Sequence, residues 1–295
     1  MLGLDKAYQM QFDQLLVTLG VVFLAGLAAD QLGRMTRFPR VTMLILLGVM
    51  AGNTGFGLLP NYIANWFDEL AVIALTMVAF LLGNSLTKNT LAQHGRAILA
   101  ISLSIVVCTL VIVSFGLTAI GLPIGLSVLL AALATATDPA AVADVVRQSG
   151  LRGGFVDSIK GIVAIDDAWG LIFFSFALVL VSHANGWPDF IARASWDLGG
   201  AAMLGCVIGF PSAFLTGRLK PGEPMQAEAI GIVFLTAGLA LLLEVSFLIT
   251  GMTVGAIIAN FARHHDRPFY EIEHIQWPFM ILFFLLAGAT LEFEA

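Results

Sequence analysis

Apolar windows of about 20 residues, the length an α-helix needs to cross a bilayer core of about 30 Å, follow one another along almost the whole of this chain. Ten can be read, at approximately 14–32, 41–59, 69–86, 97–120, 123–146, 157–182, 196–216, 226–245, 247–262 and 276–293. Several joins are short: Gly121-Leu122-Pro123 parts the fourth window from the fifth, and residues around Ser246 part the eighth from the ninth. A hydrophobic content of 59% with only 12% charged residues, over 295 positions, lies outside the range of soluble domains. The expected fold class is therefore all-α integral membrane, with about ten transmembrane helices in a multi-pass chain.

The charges support that count independently, because Lys and Arg collect in cytoplasmic loops. If the N-terminus is side one, twelve of the fourteen Lys and Arg residues fall on the other side: Arg34, Arg37, Arg40, Lys88, Arg96, Arg147, Arg152, Lys160, Arg218, Lys220, Arg263 and Arg267. Side one keeps Lys6 and Arg193 among acids that include Asp5, Asp13, Asp68, Glu69, Asp189 and Asp197. A wrong count would scramble this separation. The N-terminus is expected outside, in a cell or bacterial inner membrane. The opening MLGLDKAYQMQFDQ has acids and no basic run, unlike a cleaved signal peptide. Cys108 and Cys206 fall inside windows and are expected as small buried hydrophobes. The net charge of −6 reflects acidic outer loops, and no basic patch for nucleic acid is present.

Ionisable residues inside these windows are the informative ones, since each costs about 2.5–3.5 kcal/mol at mid-helix. Asp138 and the adjacent pair Asp166-Asp167 are the clearest. Asp167 lies ten residues beyond Asp157 at the cytoplasmic start of its window, about 15 Å deep at 1.5 Å per residue, which is the midplane. Asp138 lies eight residues before Val146, about 12 Å deep by the same rise. Pro139 lacks an N–H and clashes with the carbonyl of Thr135, so the helix is expected to break within 134–140. Asp138 as N-cap and Pro139 as first helical residue would start a new helix there. The break would leave freed carbonyls on one half-helix and a partial positive charge of about +0.5 on the other, a construction that builds ion sites in transporters.

Blander readings exist for each residue. Asp138 could simply cap the second half-helix, which is compatible with supporting an ion site, and the Thr137 hydroxyl could bond its own helix carbonyl. Asp166 and Asp167 differ by about 100° around a helix, so they take two roles, one carboxylate facing an aqueous cavity and one facing a neighbouring helix. A purely structural ion pair fails on inventory, because no Lys or Arg sits near mid-depth. A proton and a metal cation would compete for one such carboxylate, and that competition suffices for exchange.

These residues resemble the monovalent cation/proton antiporter superfamily. The resemblance rests on Thr137-Asp138-Pro139 in the broken fifth span and Asp166-Asp167 in the sixth. It extends through Glu244-Val245-Ser246 and Gly255-Ala256-Ile257-Ile258-Ala259-Asn260 to Phe283-Phe284-Leu285-Leu286-Ala287-Gly288, essentially the whole chain. It implies a thirteen-helix inverted-repeat fold in a single transport domain spanning residues 1–295, with a dimerisation part and a mobile core that alternates access to a midplane site. It implies Asp167 as the carboxylate that binds the transported monovalent cation, Na⁺ or K⁺, and exchanges it for H⁺. Asp166 would be the partner of a Lys on a later core helix. That helix has no counterpart before Ala295, so the chain is expected to lack the C-terminal core helices and not to transport alone. The resemblance further implies a homodimer in membrane lipid, a transporter and not an enzyme, and no cofactor. The third span reads Gly83-Asn84-Ser85 where many relatives place an acid after the Gly, and Val163 stands where some place a hydroxyl.

Two other classes use midplane acids. A cation channel could line a constriction with them, but no repeated pore motif is present. An intramembrane aspartyl protease would use Asp138 and Asp167 as its catalytic pair, but neither a Tyr-Asp nor a Gly-x-Gly-Asp context surrounds them.

Overall fold

The computed structural model describes residues 2–36, 39–60, 63, 66–137, 139–182, 192, 195–216, 225–262 and 266–291. Among them the secondary structure is helical: α1 Leu2–Thr36, α2 Arg40–Ala51, α3 Phe67–Gly83, α4 Lys88–Ala119, α5 Ile124–Leu133 and α6 Pro139–Ser149 come first. They are followed by α7 Gly154–Ser182, a π-helical turn Trp196–Gly200 leading into α8 Ala201–Thr216, α9 Met225–Leu242, α10 Phe247–Phe261 and α11 Asp266–Ala289. Every predicted window is occupied by helix, and the fifth is divided into α5 and α6. Asp13–Gly33, Ala92–Ala119, Trp196–Thr216 and Arg267–Ala289 are each long and apolar enough to cross a bilayer, while α2, α5, α10 and most of α9 are apolar but shorter.

The ends of the helices differ from the windows for identifiable reasons. α2 stops at Ala51, well before 59, because the chain turns through Gly52, Gly55 and Gly57, the last at φ +59°. α11 begins at Asp266, not 276: Pro268 sits in its first turn, where a missing N–H costs no helix bond. Hydropathy finds the lipid-embedded part of a helix, and α1, α4 and α11 continue past it. The two least distinct joins are both real: Gly121 turns at φ +100° before Pro123 opens α5, and Ser246 caps α10 by accepting the Ile249 amide at 3.3 Å.

The chain forms two compact units, one from residues 1–74 with 274–295 and one from 75–273. In the first, α2 and α11 cross backbone on backbone. A Cβ on Gly48 would fall on the Leu285 carbonyl oxygen, and one on Gly288 would fall on that of Ile45. Gly48-x-x-x-Gly52 is the small-residue spacing that lets membrane helices approach this closely. Val22, Ile63, Leu282, Leu285 and Leu286 close the apolar core beside that crossing.

In the second unit α10 is gripped from two sides. Gly255 faces Phe80 and Gly83 of α3, and Gly205 and Gly209 of α8 receive Thr253 and Ile257 of α10. α4, α5 and α7 pack mutually, with Ile98 of α4 seated on Gly161 of α7. The remaining surface of α4 exposes Leu99, Ile101, Leu103 and Ile105, and Cys108 lies on this exposed surface, not in the core as expected. A helix that shows apolar side chains around most of its girth suits lipid, which solvates Leu as well as another helix does.

Candidate functional site

The fifth span ends as its proline predicts. α5 tightens at its last turn, where the Thr135 and Ala136 amides reach back three residues to Ala132 and Leu133 at 3.2 and 3.3 Å. The Thr135 hydroxyl also donates to the Ala132 carbonyl, at 2.7 Å. Residues 134–137 leave the helix, and Pro139 is the first residue of α6. Starting there, α6 places a helix N-terminus, with its partial positive charge, inside the span. Asp138 lies outside the described residues, and for Pro139 and Asp167 the description covers the helical backbone alone.

Thr137 stands apart from Thr135. Its hydroxyl oxygen is buried without a hydrogen-bond partner among the described residues, so the self-bonded alternative does not describe it. A buried hydroxyl left unmade costs about 1–3 kcal/mol and is kept where something else uses it.

α7 brings the acids to the break. A Cβ on Gly170 would lie 3.1 Å from the Ala136 side chain, so at this level α7 touches the interrupted segment directly. Asp166 and Asp167 precede Gly170 by about one turn. Asp166 is fully buried; its Oδ1 accepts a 2.5 Å hydrogen bond from the Ser102 hydroxyl on α4, and its Oδ2 has no partner among the described residues. The Trp169 indole N–H, one turn further on, is likewise buried and unmatched. Oxygen atoms of carboxylate, hydroxyl and freed carbonyl are what a hard monovalent cation binds.

On one side of the break is a cavity of about 220 Å³. Ala132 and Ala136 line it from the break, Gly170 and Phe174 from α7, and Ser246 and Ile249 from the start of α10. Its walls are mostly apolar. The structure therefore brings α7, one turn beyond Asp166, against the interruption that holds Thr137 and precedes α6. Sequence reasoning missed Ser102 and Gly170, although a glycine one turn after the Asp pair was a readable sign of close approach.

A family model described as sodium/hydrogen exchanger, transmembrane, matches residues 19–295. Among curated relatives, an uncharacterised Na⁺/H⁺ exchanger of Escherichia coli is 27% identical over 210 residues, covering 70% of this chain and 37% of that protein. One of Mycobacterium tuberculosis is 25% identical over 248 residues, covering 83% of this chain and 44% of that protein. The chain thus spans less than half the length of these curated relatives. A solved sodium proton antiporter from Methanocaldococcus jannaschii at pH 8 superposes with a TM-score of 0.71 over 94% of this chain and 71% of that one, at 18% identity. A second structure of that antiporter, from electron microscopy, gives a TM-score of 0.76 over 94% and 70%, at 17% identity. At such identities the likeness is one of fold.

Proposed function

Because the chain belongs to the transmembrane sodium/hydrogen exchanger family, a family of multi-pass membrane proteins, we propose that it exchanges a monovalent cation for protons at the interrupted fifth span. The observation that carries this reading is the buried Asp166 on α7, set one turn from the point where α7 touches the break, with Thr137 Oγ1 and Asp166 Oδ2 both unmatched among the described residues. Asp167 is the carboxylate that cation and proton occupy in turn. Thr137 and the half-helix ends complete the oxygen set, Asp138 caps α6, and Pro139 keeps the helix from closing over the site. The names of the relatives favour Na⁺ as the cation, and K⁺ is the alternative.

Exchange needs only two conditions. Cation and proton exclude one another from one carboxylate, and the loaded site faces each side of the membrane alternately. Residues 1–295 act within a single transport domain, in lipid, as a homodimer, with the N-terminus outside as the Lys and Arg distribution requires.

The test is proton movement in proteoliposomes holding the full-length protein, on addition of Na⁺ or K⁺, with Asp167→Asn in parallel. Loss of cation-driven proton flux in the variant is expected. Flux that survives Asp167→Asn refutes the assignment, and flux far above a carrier's cycle rate points instead to a channel.

A further inference from the structure

Ser102 differs from most hydroxyls of these helices in what it does with its proton; Thr216, which reaches Glu228 at 2.9 Å, also meets its own helix carbonyl at Ser212. Ser104, Ser212, Thr236 and Thr253 each donate to the carbonyl four residues back on their own helix, which is the default in apolar surroundings. Ser102 instead donates across to Asp166 on α7, and both residues are fully buried.

Packing enforces that pairing. α4 buries Ile98, Ser102 and Val106, a stripe with the i, i+4, i+8 spacing of one helix face, while Leu99, Ile101, Leu103 and Ile105 are exposed. Ile98 is pressed onto Gly161, where a Cβ would stand 2.8 Å from its Cδ1. Moving up the chain from Ile98 to Ser102 on α4 matches moving from Gly161 to Asp166 on α7, so the two helices run parallel here. The glycine sets their separation, and one turn later that separation suits a serine reaching a carboxyl.

A carboxyl group free to turn about its Cβ–Cγ bond offers either oxygen. Bound at Oδ1 by Ser102, Asp166 offers Oδ2, the oxygen without a partner among the described residues. We infer that Ser102 is a positioning residue of the exchange site, holding Asp166 through Oδ1 so that Oδ2 is the oxygen left for the ion or its ligands. The inference rests on reading the α7 acids as that site. A neutral hydroxyl does this without placing a fixed positive charge beside the transported cation.

Ser102→Ala and Ser102→Thr are compared with the parent full-length protein in proteoliposomes, with KM for Na⁺ separated from the maximal rate. Loss of one hydrogen bond to a carboxylate is expected to raise KM about tenfold in Ser102→Ala, with Ser102→Thr restoring it. In an Asp166→Ala background, which leaves the Ser102 hydroxyl no acceptor, the change to Ala should add less than about twofold, since the two residues act as one unit. In parallel, the infrared carboxyl band that Asp166→Asn removes should shift in Ser102→Ala and return in Ser102→Thr. An unmoved band refutes the contact whether or not the preparation transports. An unchanged KM, an equal penalty in both backgrounds, or a Thr variant that behaves like Ala refutes the positioning role. If Asp167→Asn leaves flux intact while the band shifts, the exchange-site reading falls and the Ser102–Asp166 bond stands. If Asp167→Asn abolishes flux while Ser102→Ala changes neither band nor KM, the positioning role alone falls.

Discussion

Gly255→Ala adds a single methyl group to α10, and its effect can be worked out from the crossing with α3. The new Cβ would overlap the Phe80 carbonyl oxygen, meet the carbonyl carbon at 3.0 Å and meet the Gly83 Cα at 3.2 Å. All three atoms are backbone, so no rotamer change relieves the contact. α3 and α10 must separate by on the order of 1 Å, with the cost of overpacking, about 1–3 kcal/mol and here at its upper end. Helix propensity acts in the opposite direction, because Gly→Ala in a helix interior gains about 1 kcal/mol. The net loss is about 2 kcal/mol, or roughly 4–8 °C in thermal unfolding of the detergent-solubilised protein at about 2–4 °C per kcal/mol. Gly231→Ala and Gly238→Ala on α9 are the controls. Nothing among the described residues lies within 4 Å of a Cβ at either position, so propensity alone acts and the unfolding temperature should hold or rise slightly. Gly83→Ala should reproduce the loss, since it meets the same crossing from the other side, and the double variant should lose less than the sum because the helices are already apart. Gly255→Ala unfolding at the same temperature as Gly231→Ala would refute the backbone-on-backbone crossing.

Thr137→Val keeps shape while deleting a hydroxyl that is buried and unmatched among the described residues, so unfolding temperature should hold or rise while KM for the transported cation increases about tenfold; a fall in stability with unchanged KM would show the hydroxyl to be structural. Asn260 at the end of α10 donates to the Leu86 carbonyl at 3.0 Å and accepts the Lys88 amide at 2.7 Å, joining the end of α3 to the start of α4. Asn260→Ala should cost about 1–2 kcal/mol and speed amide hydrogen exchange at Lys88, and unaltered exchange there would sink the idea of a cap.

What could be read from the sequence divides along physical lines. The order of the spans was legible because lipid demands apolar length, and the interruption of the fifth because Pro139 denies the backbone a bond wherever it sits. Helix ends were not legible where the helix outruns the lipid, as α11 does by beginning at Asp266. Nor were the crossings: Gly255 and Gly231 are the same residue in similarly apolar helices, yet one faces the Phe80 backbone and the other meets nothing among the described residues.

The same limit explains why Ser102 escaped notice. Ser102 and Ser104 stand two residues apart in a helix apolar on every side, so no periodicity marks which of them faces protein. In lipid the contrast between a polar and an apolar helix face disappears, because the outward face is as apolar as the inward one. Ser104 is exposed and bonds its own helix, while Ser102 is buried against α7 and bonds Asp166. What separates them is Gly161, a residue on another helix, which lets Ile98 close the gap one turn below. A site of this kind is therefore specified jointly by an acid that cannot be left alone in lipid and by a glycine elsewhere that decides which hydroxyl reaches it.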